Sequence, residues 1–428
     1  MMQAISLFPF QRRGVERLLA AFQNGQRAFL LADEMGLGKT VQALAFAQHV
    51  RLPVTVIAPA SLVPMWREAL EAWEVKGDVV SYAKAASAQS EGRLLILDEA
   101  HYVKNPQAQR TKAVAAHARR ARFVLAMTGT PLLNRIDEFA HLLSAVGIVS
   151  NAYAFLYAYA SLTFERVPQR GGGWRDVRKY YLTDAQARRL AHDLNTRFPY
   201  LRRTKGEVGL ELPAKLRTFI TLEVTAREAS WAVVQAAREV ARKWGMEFDD
   251  DERLVEAVFD HLPGAAISTA RRLYAIAKAE KAASYLCELI ESTDKPLVVF
   301  YHHKEVLDTL KAHLPAPHIA GDTPQPDRAR LVSEFQSGRH KVLYLSLTAA
   351  SVGLTLTAAD TAVFVEFDWV PANLIQAEDR INRIGQVAKT TYYHYLTAND
   401  RIEKLILRKL VEKTQLAKGV LGGDSLKI

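Results

Sequence analysis

The sequence predicts an α/β protein made of two parallel-sheet lobes, with helical insertions between and within them. Three observations predict this. Short β-branched or leucine-rich runs alternate with amphipathic stretches, the pattern of strands joined by crossover helices. The runs fall into two groups, Ala28 to Ala32, Val54 to Ala58, Leu94 to Leu97 and Phe123 to Met127, then Leu297 to Tyr301, Val342 to Leu347 and Ala362 to Phe367. The long stretch between the groups is richer in helix formers, and 428 residues are enough for two or three separate cores.

The bulk composition, 49% hydrophobic and 24% charged, is that of a folded globular chain. A net charge of +10 favours a polyanionic partner, because clustered Lys and Arg displace counterions from phosphates. Cys287 is the single cysteine, so neither a disulfide framework nor a thiolate metal cluster can be built, and a reducing, intracellular setting, cytoplasmic or nucleoid-associated, is expected. Met1-Met2-Gln3-Ala4 opens without a basic segment and long apolar run, so no secretory signal is expected. Phe139 to Phe164 lacks Asp, Glu, Lys and Arg and is formally long enough to cross a bilayer. His141, Ser144, Gly147, Ser150 and Asn151 interrupt it, which predicts a buried helix, a break and a second helix, and no membrane association.

Between the two groups of strands, Thr163 to Gly206 holds eleven Lys or Arg against four Asp or Glu, interleaved with Trp174, Tyr180, Tyr181, Phe198 and Tyr200. This mix suits phosphate contact with some base or sugar packing, and equally suits a solvated basic face over an aromatic core. Gly171-Gly172-Gly173 reads as a loop tip within a basic helical insertion.

Directly after the first run comes Asp33-Glu34-Met35-Gly36-Leu37-Gly38-Lys39-Thr40, leading into a helical pattern. Glycines let backbone N–H groups approach phosphate oxygens, and the helix N-terminus favours negative charge. Lys39 reaches the β- and γ-phosphates and the Thr40 hydroxyl can ligate Mg2+. The strict pattern has Gly where this chain has Asp33. Asp98-Glu99-Ala100-His101 ends the run Leu94 to Leu97: Asp98 can hold the metal, and Glu99 can position or deprotonate the attacking water. Far downstream, Gln376, Arg380 and Arg383 are spaced i, i+4, i+7, which on a helix aims both guanidiniums to one side. Arginines presented to a γ-phosphate accelerate phosphoryl transfer by roughly a thousandfold or more. Because Glu378 and Asp379 are adjacent, the same segment also reads as an exposed, salt-bridged helix.

The order Asp33 to Thr40, Ala58-Pro59-Ala60-Ser61-Leu62, Asp98 to His101, Met127-Thr128-Gly129-Thr130-Pro131, Ser346 to Leu356 and Gln376 to Gln386 resembles the motif series of the Snf-type, SWI/SNF-related ATPases of helicase superfamily two. Leu201-Arg202-Arg203-Thr204-Lys205 followed by Leu212-Pro213 is similar to a family signature preceding the second lobe, and the likeness runs from about Leu7 to about Asp424. Pro9-Phe10-Gln11-Arg12, Val299 to Lys304 and Thr355 to Ala359 are most similar to the annealing-helicase, HARP-like branch. Asn382 stands where the family usually has His, which puts that side chain's coupling role in doubt.

The resemblance implies two RecA-like lobes: residues 1–150 as the ATP-binding lobe, 151–215 as a basic insertion ending it, 216–284 as a helical insertion and linker, and 285–428 as the second lobe. It implies ATP and Mg2+ as cofactors. Lys39, Asp98, Glu99, Arg380 and Arg383 would be catalytic, with Thr40 and Asp98 at the metal. Phe10, Gln11, Met35, Gly36, Leu37, Gly38, Gly353 and Gln376 would complete the nucleotide site, Gln11 reading adenine with its amide. His101, Thr128, Gly129 and Thr130 would couple the site to DNA. Ser61, Arg202, Arg203, Lys205, Lys304, Ser346 and Thr348 are candidates for phosphate contact, and Arg401 to Lys418 would form a brace helix. The implied activity is ATP-driven translocation by a monomer on double-stranded or branched DNA, without sequence preference, reannealing strands or remodelling forks. A strand-separating DNA or RNA helicase, and an ATP-gated clamp serving a nuclease or replication protein supplied in trans, remain as alternatives. His101, His302 and His303 have no third ligand at metal-binding spacing.

Overall fold

The structure is a computed structural model and describes residues 7–131, 135–168, 174–210, 212–262, 264–349, 354–368, 371–383 and 385–408. The chain divides into two compact units, Met1–Phe164 with Arg178–Glu211 and Leu416–Asp424, and Glu165–Val177 with Leu212–Gln415 and Ser425–Ile428.

The first unit opens with α1 (Pro9–Gln23), whose first turn is closed by Gln11 accepting from the Phe8 N–H at 3.1 Å. There follow β1 (Ala28–Leu31), α2 (Lys39–Val50), β2 (Val54–Ala58), α3 (Val63–Ala72), β3 (Gly77–Ser81), β4 (Leu94–Leu97), α4 (Gln109–Arg120), β5 (Phe123–Met127), α5 (Ile136–Ala145) and α6 (Ala152–Tyr159). β6 (Ser161–Pro168) and β7 (Trp174–Tyr181), of which Glu165–Val177 is counted with the second unit, form a two-stranded sheet of their own, and α7 (Asp184–Arg197) leads to β8 (Tyr200–Leu201) in the first. The main sheet runs β3-β2-β4-β5-β1-β8 with parallel pairing throughout. β1, β2, β4 and β5 are buried at every position, which is why they read as unbroken apolar runs.

The basic insertion is therefore not wholly helical. Five residues separate β6 from β7, too few for the crossover that a parallel pair needs, so the two form an antiparallel ribbon. The tip, Gly171-Gly172-Gly173, lies outside the described residues. The uncharged stretch from Phe139 divides into α5 and α6, the latter capped by Asn151 accepting from the Tyr153 and Ala154 N–H groups. Among the described residues no helix is long and apolar enough to cross a membrane.

The second unit contains β9 (Ala214–Leu222), α8 (Arg227–Lys243), α9 (Asp251–Val258), α10 (Gly264–Glu291), β10 (Leu297–Tyr301), α11 (Lys304–His313), β11 (His318–Ile319), α12 (Gln325–Gln336), β12 (Val342–Ser346), β13 (Thr361–Phe364), α13 (Pro371–Glu378) and β14 (Thr390–Ala398). Its sheet is again wholly parallel, in the order β11-β12-β10-β13-β14-β9. β9, the first strand of this sheet in sequence, lies at the sheet edge against β14, in register from Ala214 opposite Thr390 to Leu222 opposite Ala398. Residues 401–408 are helical, and the rest of the expected brace helix lies outside the described residues. The architecture is thus two RecA-like parallel-sheet lobes with helical insertions.

Candidate nucleotide-binding site

In the first unit β1 lies beside β5, and β5 beside β4. The loop after β1, the segment after β5 and the acidic turn after β4 therefore sit side by side at the C-terminal ends of their strands, where open parallel sheets bind ligands. Gly36 and Gly38 take positive φ (87° and 71°), a conformation that exposes backbone N–H groups and disfavours side chains. A Cβ on Gly38 would stand 2.4 Å from Gln11 Nε2, and one on Gly129 would stand 2.4 Å from Met35 Cγ and 3.3 Å from Lys39 Nζ. Gly38 is favoured by its positive φ, and Gly129 by the close approach of Met35. Leu37 is fully buried beneath the loop, and Thr40 is the second residue of α2.

Lys39 Nζ donates to the Asp33 carbonyl at 2.7 Å and the Glu34 carbonyl at 3.3 Å. Burial lowers its pKa, opposed by the attraction of Glu99, Asp33 and Asp98. Asp98 is 8% exposed and accepts from Trp66 Nε1 at 2.8 Å and from the Glu99 N–H at 3.0 Å. Burial, and then repulsion from Glu99, push its carboxyl up to about 6 against the Trp66 hydrogen bond and Lys39. Glu99 itself sits at φ 49°, a strained value for a non-glycine residue. Its carboxylate lies 3.3 Å from His101 Nδ1, which is also 3.0 Å from Thr128 Oγ1; that hydroxyl accepts the Thr130 N–H at 3.2 Å.

These residues fit a nucleoside triphosphate with a divalent ion. An ammonium and a glycine-shaped helix N-terminus face two carboxylates within electrostatic reach. Gln11, 5% exposed, is no surface residue of α1: its Nε2 donates to the Leu37 carbonyl at 3.3 Å, and Phe10 beside it is also buried. Sequence reasoning missed Trp66, Tyr82 and Gln42. Tyr82 donates to the Asp98 carbonyl at 2.8 Å, and Gln42, fully buried, donates to Asp33 Oδ2 at 3.1 Å. No spacing rule links them to the motifs.

One expectation about the basic residues changes. Arg203 is not turned toward solvent as a phosphate contact: its guanidinium is paired with the buried Asp33 carboxylate and is 14% exposed. Arg202 donates to the Ala32 and Gly129 carbonyls at 2.7 and 3.1 Å, bracing the same loops. Lys205 donates its N–H to Glu34 at 2.7 Å, and Ser61 is half-buried in a short 3-10 turn.

In the second unit the expected shared helical face does not form, because α13 stops at Glu378 and the chain continues in tight turns through Arg380 and Arg383. The reason is tertiary. Glu378 is fully buried and takes Arg217 Nε at 2.6 Å, Lys215 Nζ at 3.1 Å and the Tyr395 hydroxyl at 2.8 Å, while Asp379 takes Lys215 at 2.8 Å. The acidic pair is therefore no exposed salt-bridged helix face. It anchors the arginine segment to β9 and β14. Arg380 is 2% exposed, Arg383 Nη1 donates to the Leu354 carbonyl at 2.9 Å and Thr355 Oγ1 at 3.2 Å, and Gln376 is half-buried. Asn382, where the family usually has His, is buried and donates to the Pro213 carbonyl at 2.8 Å and Thr391 Oγ1 at 2.9 Å. Ser346 and Thr348 hydroxyls lie 2.9 Å apart at the end of β12, and Lys304 is exposed at the start of α11. Gly353 lies outside the described residues. Glu366 accepts the His302 and His303 N–H groups and His303 Nδ1, which gives those histidines a structural task; among the described residues no group of three or more metal-ligating side chains forms.

A parallel sheet with a phosphate loop after one strand and a paired acidic turn two strands away, in a chain with a second such sheet, defines a phosphate-loop nucleotide-dependent protein of the two-lobed helicase class. Residues 10–89 and 77–243 match the SNF2-related domain, and residues 281–385 match the helicase conserved C-terminal domain. The chain belongs to the SNF2-related family. It is similar to the SWI/SNF-related matrix-associated actin-dependent regulator of chromatin subfamily A-like protein 1 of Xenopus laevis, 31% identical over 96% of this chain and 44% of that protein. It is also similar to the human DNA annealing helicase and endonuclease ZRANB3, 29% identical over 99% of this chain and 41% of that one. The chain thus spans less than half the length of these curated relatives. A solved Sulfolobus solfataricus SWI2/SNF2 ATPase core in complex with dsDNA is 21% identical over 97% of this chain and 93% of that one, with a TM-score of 0.42.

Proposed function

We propose that the chain hydrolyses ATP, with Mg2+, to translocate on double-stranded DNA, reannealing strands or remodelling forks. The observation that carries this is the convergence of Lys39, at the start of the helix after β1, with Asp98 and Glu99 after β4, two strands away in the same sheet, in a chain of the SNF2-related family. Thr40 and Asp98 would hold the metal, and the ion would supply charge stabilisation at the transferring phosphoryl group. Lys39 exchanges its carbonyl partners for phosphate oxygens, and Glu99 orients the attacking water. Arg380 and Arg383 act on the charge developing in phosphoryl transfer. Phe10 and Gln11 hold the base, and His101 with Thr128 to Thr130 relays the state of the site. Arg202, Lys205, Ser61, Lys304, Ser346 and Thr348 remain candidates for DNA contact, with the basic ribbon of β6 and β7. The names of the relatives, one an annealing helicase, support DNA as substrate.

Measuring ATP hydrolysis side by side with duplex DNA, single-stranded DNA, forks and RNA tests the proposal. Stimulation by duplex and forked DNA is expected, and stimulation by RNA alone would overturn it. The β6–β7 ribbon favours a second reading, strand separation, since Phe164 and Tyr181 on it are 62% and 49% exposed and suited to stacking on bases.

A further inference from the structure

We propose that Arg203 is a positioning residue for base recognition: locked onto Asp33, it holds the Phe10–Gln11 segment against the phosphate loop and so sets the preference for ATP over other nucleoside triphosphates. This rests on reading the first unit as an ATP site.

The pair spans 170 positions in sequence, Asp33 following β1 and Arg203 following β8, the strand hydrogen-bonded beside it. Asp33 stands where a strict phosphate loop has Gly, and its carboxylate is fully buried with both oxygens engaged. Oδ1 takes Arg203 Nε at 3.0 Å, and Oδ2 takes Arg203 Nη2 and, at 3.1 Å, Gln42 Nε2. This fork-to-fork geometry is the one arrangement that fixes a guanidinium in direction as well as position.

The direction matters because the other end of the guanidinium meets α1 twice. Arg203 Nη1 donates to the Phe10 carbonyl, and the charged group stacks 5.5 Å from the Phe10 ring centroid. Arg203 Nη2 also donates to Gln42 Oε1 at 2.9 Å. Gln42 passes the restraint on, since its Nε2 reaches the Leu37 carbonyl at 3.4 Å, the same oxygen that Gln11 Nε2 holds at 3.3 Å. Arg203, Gln42, Leu37, Gln11 and Phe10 thus close a ring of contacts with Asp33 at its root.

α1 packs closely over these side chains. A Cβ on Gly14 of α1 would fall 2.0 Å from Gln42 Oε1 and 2.8 Å from Arg203 Nη2, so the helix carrying Phe10 and Gln11 is seated directly on the pair. A side chain whose role was phosphate contact on DNA would not be committed to a buried carboxylate, a backbone carbonyl and an aromatic face at once. The arrangement instead orients Gln11, whose amide carries the donor and acceptor that distinguish adenine.

Arg203→Lys keeps the charge and loses the fork. Because it also leaves Asp33 imperfectly paired in a buried position, a second variant, Asp33→Asn with Arg203→Gln, removes both charges together and preserves a hydrogen-bonded pair. Direct binding of ATP and of GTP to the full chain, by titration calorimetry, is compared with duplex DNA binding and thermal melting. The expected result is a loss of about tenfold or more in ATP affinity, a narrowed ratio of ATP to GTP affinity, and unchanged duplex binding in folded protein. Wild-type preference for ATP in both variants overturns the proposal. So does an equal loss for both nucleotides, which marks a purely structural role, and so does a fall in duplex binding alone, which marks a DNA contact. A wild-type chain that binds neither nucleotide overturns the ATP reading and this inference with it.

Discussion

His101 Nδ1 lies 3.0 Å from the Thr128 hydroxyl, tying the turn that carries Asp98 and Glu99 to the segment that follows β5. The same hydroxyl accepts the Thr130 N–H, so movement of either segment is felt by the other. Thr128→Val keeps the buried volume and removes the link. It is expected to leave basal ATP hydrolysis near its starting value and to cut stimulation by duplex DNA by about fivefold or more, the scale of a typical coupling free energy. Steady-state rates with and without duplex measure this, and undiminished stimulation would remove Thr128 from the relay.

On the proposed reading Lys39→Ala should abolish hydrolysis and leave duplex binding largely intact, because Lys39 would compensate phosphate charge while DNA would be held by other basic groups. Filter binding and phosphate release on the same preparation are the check. A normal rate of hydrolysis would show that the catalytic assignment is wrong.

Arg383→Ala is expected to lose turnover by orders of magnitude and keep most nucleotide affinity, since such an arginine acts mainly on the transition state. Single-turnover kinetics and equilibrium binding of a non-hydrolysable analogue separate the two effects. Its present hydrogen bonds to the Leu354 carbonyl and Thr355 define the competing outcome: equal losses of binding and turnover would make it a structural residue.

Arg217→Ala removes the forked partner of the fully buried Glu378 but leaves it Lys215 and the Tyr395 hydroxyl, so the expected loss is smaller than the ~3–5 kcal/mol of a buried charge left with no partner. Denaturant unfolding should report that loss in the second unit. The double variant Arg217→Met with Glu378→Gln should recover much of it. A single variant as stable as the starting chain would mean that Lys215 compensates Glu378 without Arg217.

On triplex and tailed-duplex substrates the chain is expected to displace a triplex-forming strand in an ATP-dependent manner and to release little strand from a simple tailed duplex. Separating strands costs stacking free energy of about 1.4 kcal/mol per base-pair step, which a motor moving within an intact duplex need not supply. Binding should weaken steeply with salt. Efficient unwinding of tailed duplexes without triplex displacement would shift the assignment to the strand-separating reading, with the β6–β7 ribbon as the element to mutate.

The strands buried on both faces were legible because they require unbroken apolar runs, and the phosphate loop and acidic turn because their chemistry fixes residue type at short spacing. β9 and β14 were not, since exposed positions such as Leu216, Thr218 and Tyr392 dilute the apolar signal. The Gln376, Arg380 and Arg383 spacing failed as a guide to a helix for a different reason. Helical periodicity is a local property, and the buried contacts of Glu378 to β9 and β14 override it. Asp33 was legible as a departure from the phosphate-loop pattern, but its partner stands 170 positions away, beyond the reach of any spacing rule. The ribbon left a signal that a helical reading of the basic segment passes over, because Leu162, Thr163, Phe164 and Val167 precede the three glycines and Trp174, Val177, Tyr180 and Tyr181 follow them.

The pairing of β9 with β14 sets a timetable for synthesis. Contacts between the two strands join positions 177 apart, so β9 leaves the ribosome long before the strand that completes it. At ordinary elongation rates the interval is on the order of ten seconds. Throughout it, Lys215 and Arg217 lack the carboxylates of Glu378 and Asp379, and one whole edge of a nine-residue strand is open to unintended pairing. The second lobe therefore has a high contact order by construction, and a nascent chain stalled before Thr390 would present the cell with an unfinished sheet.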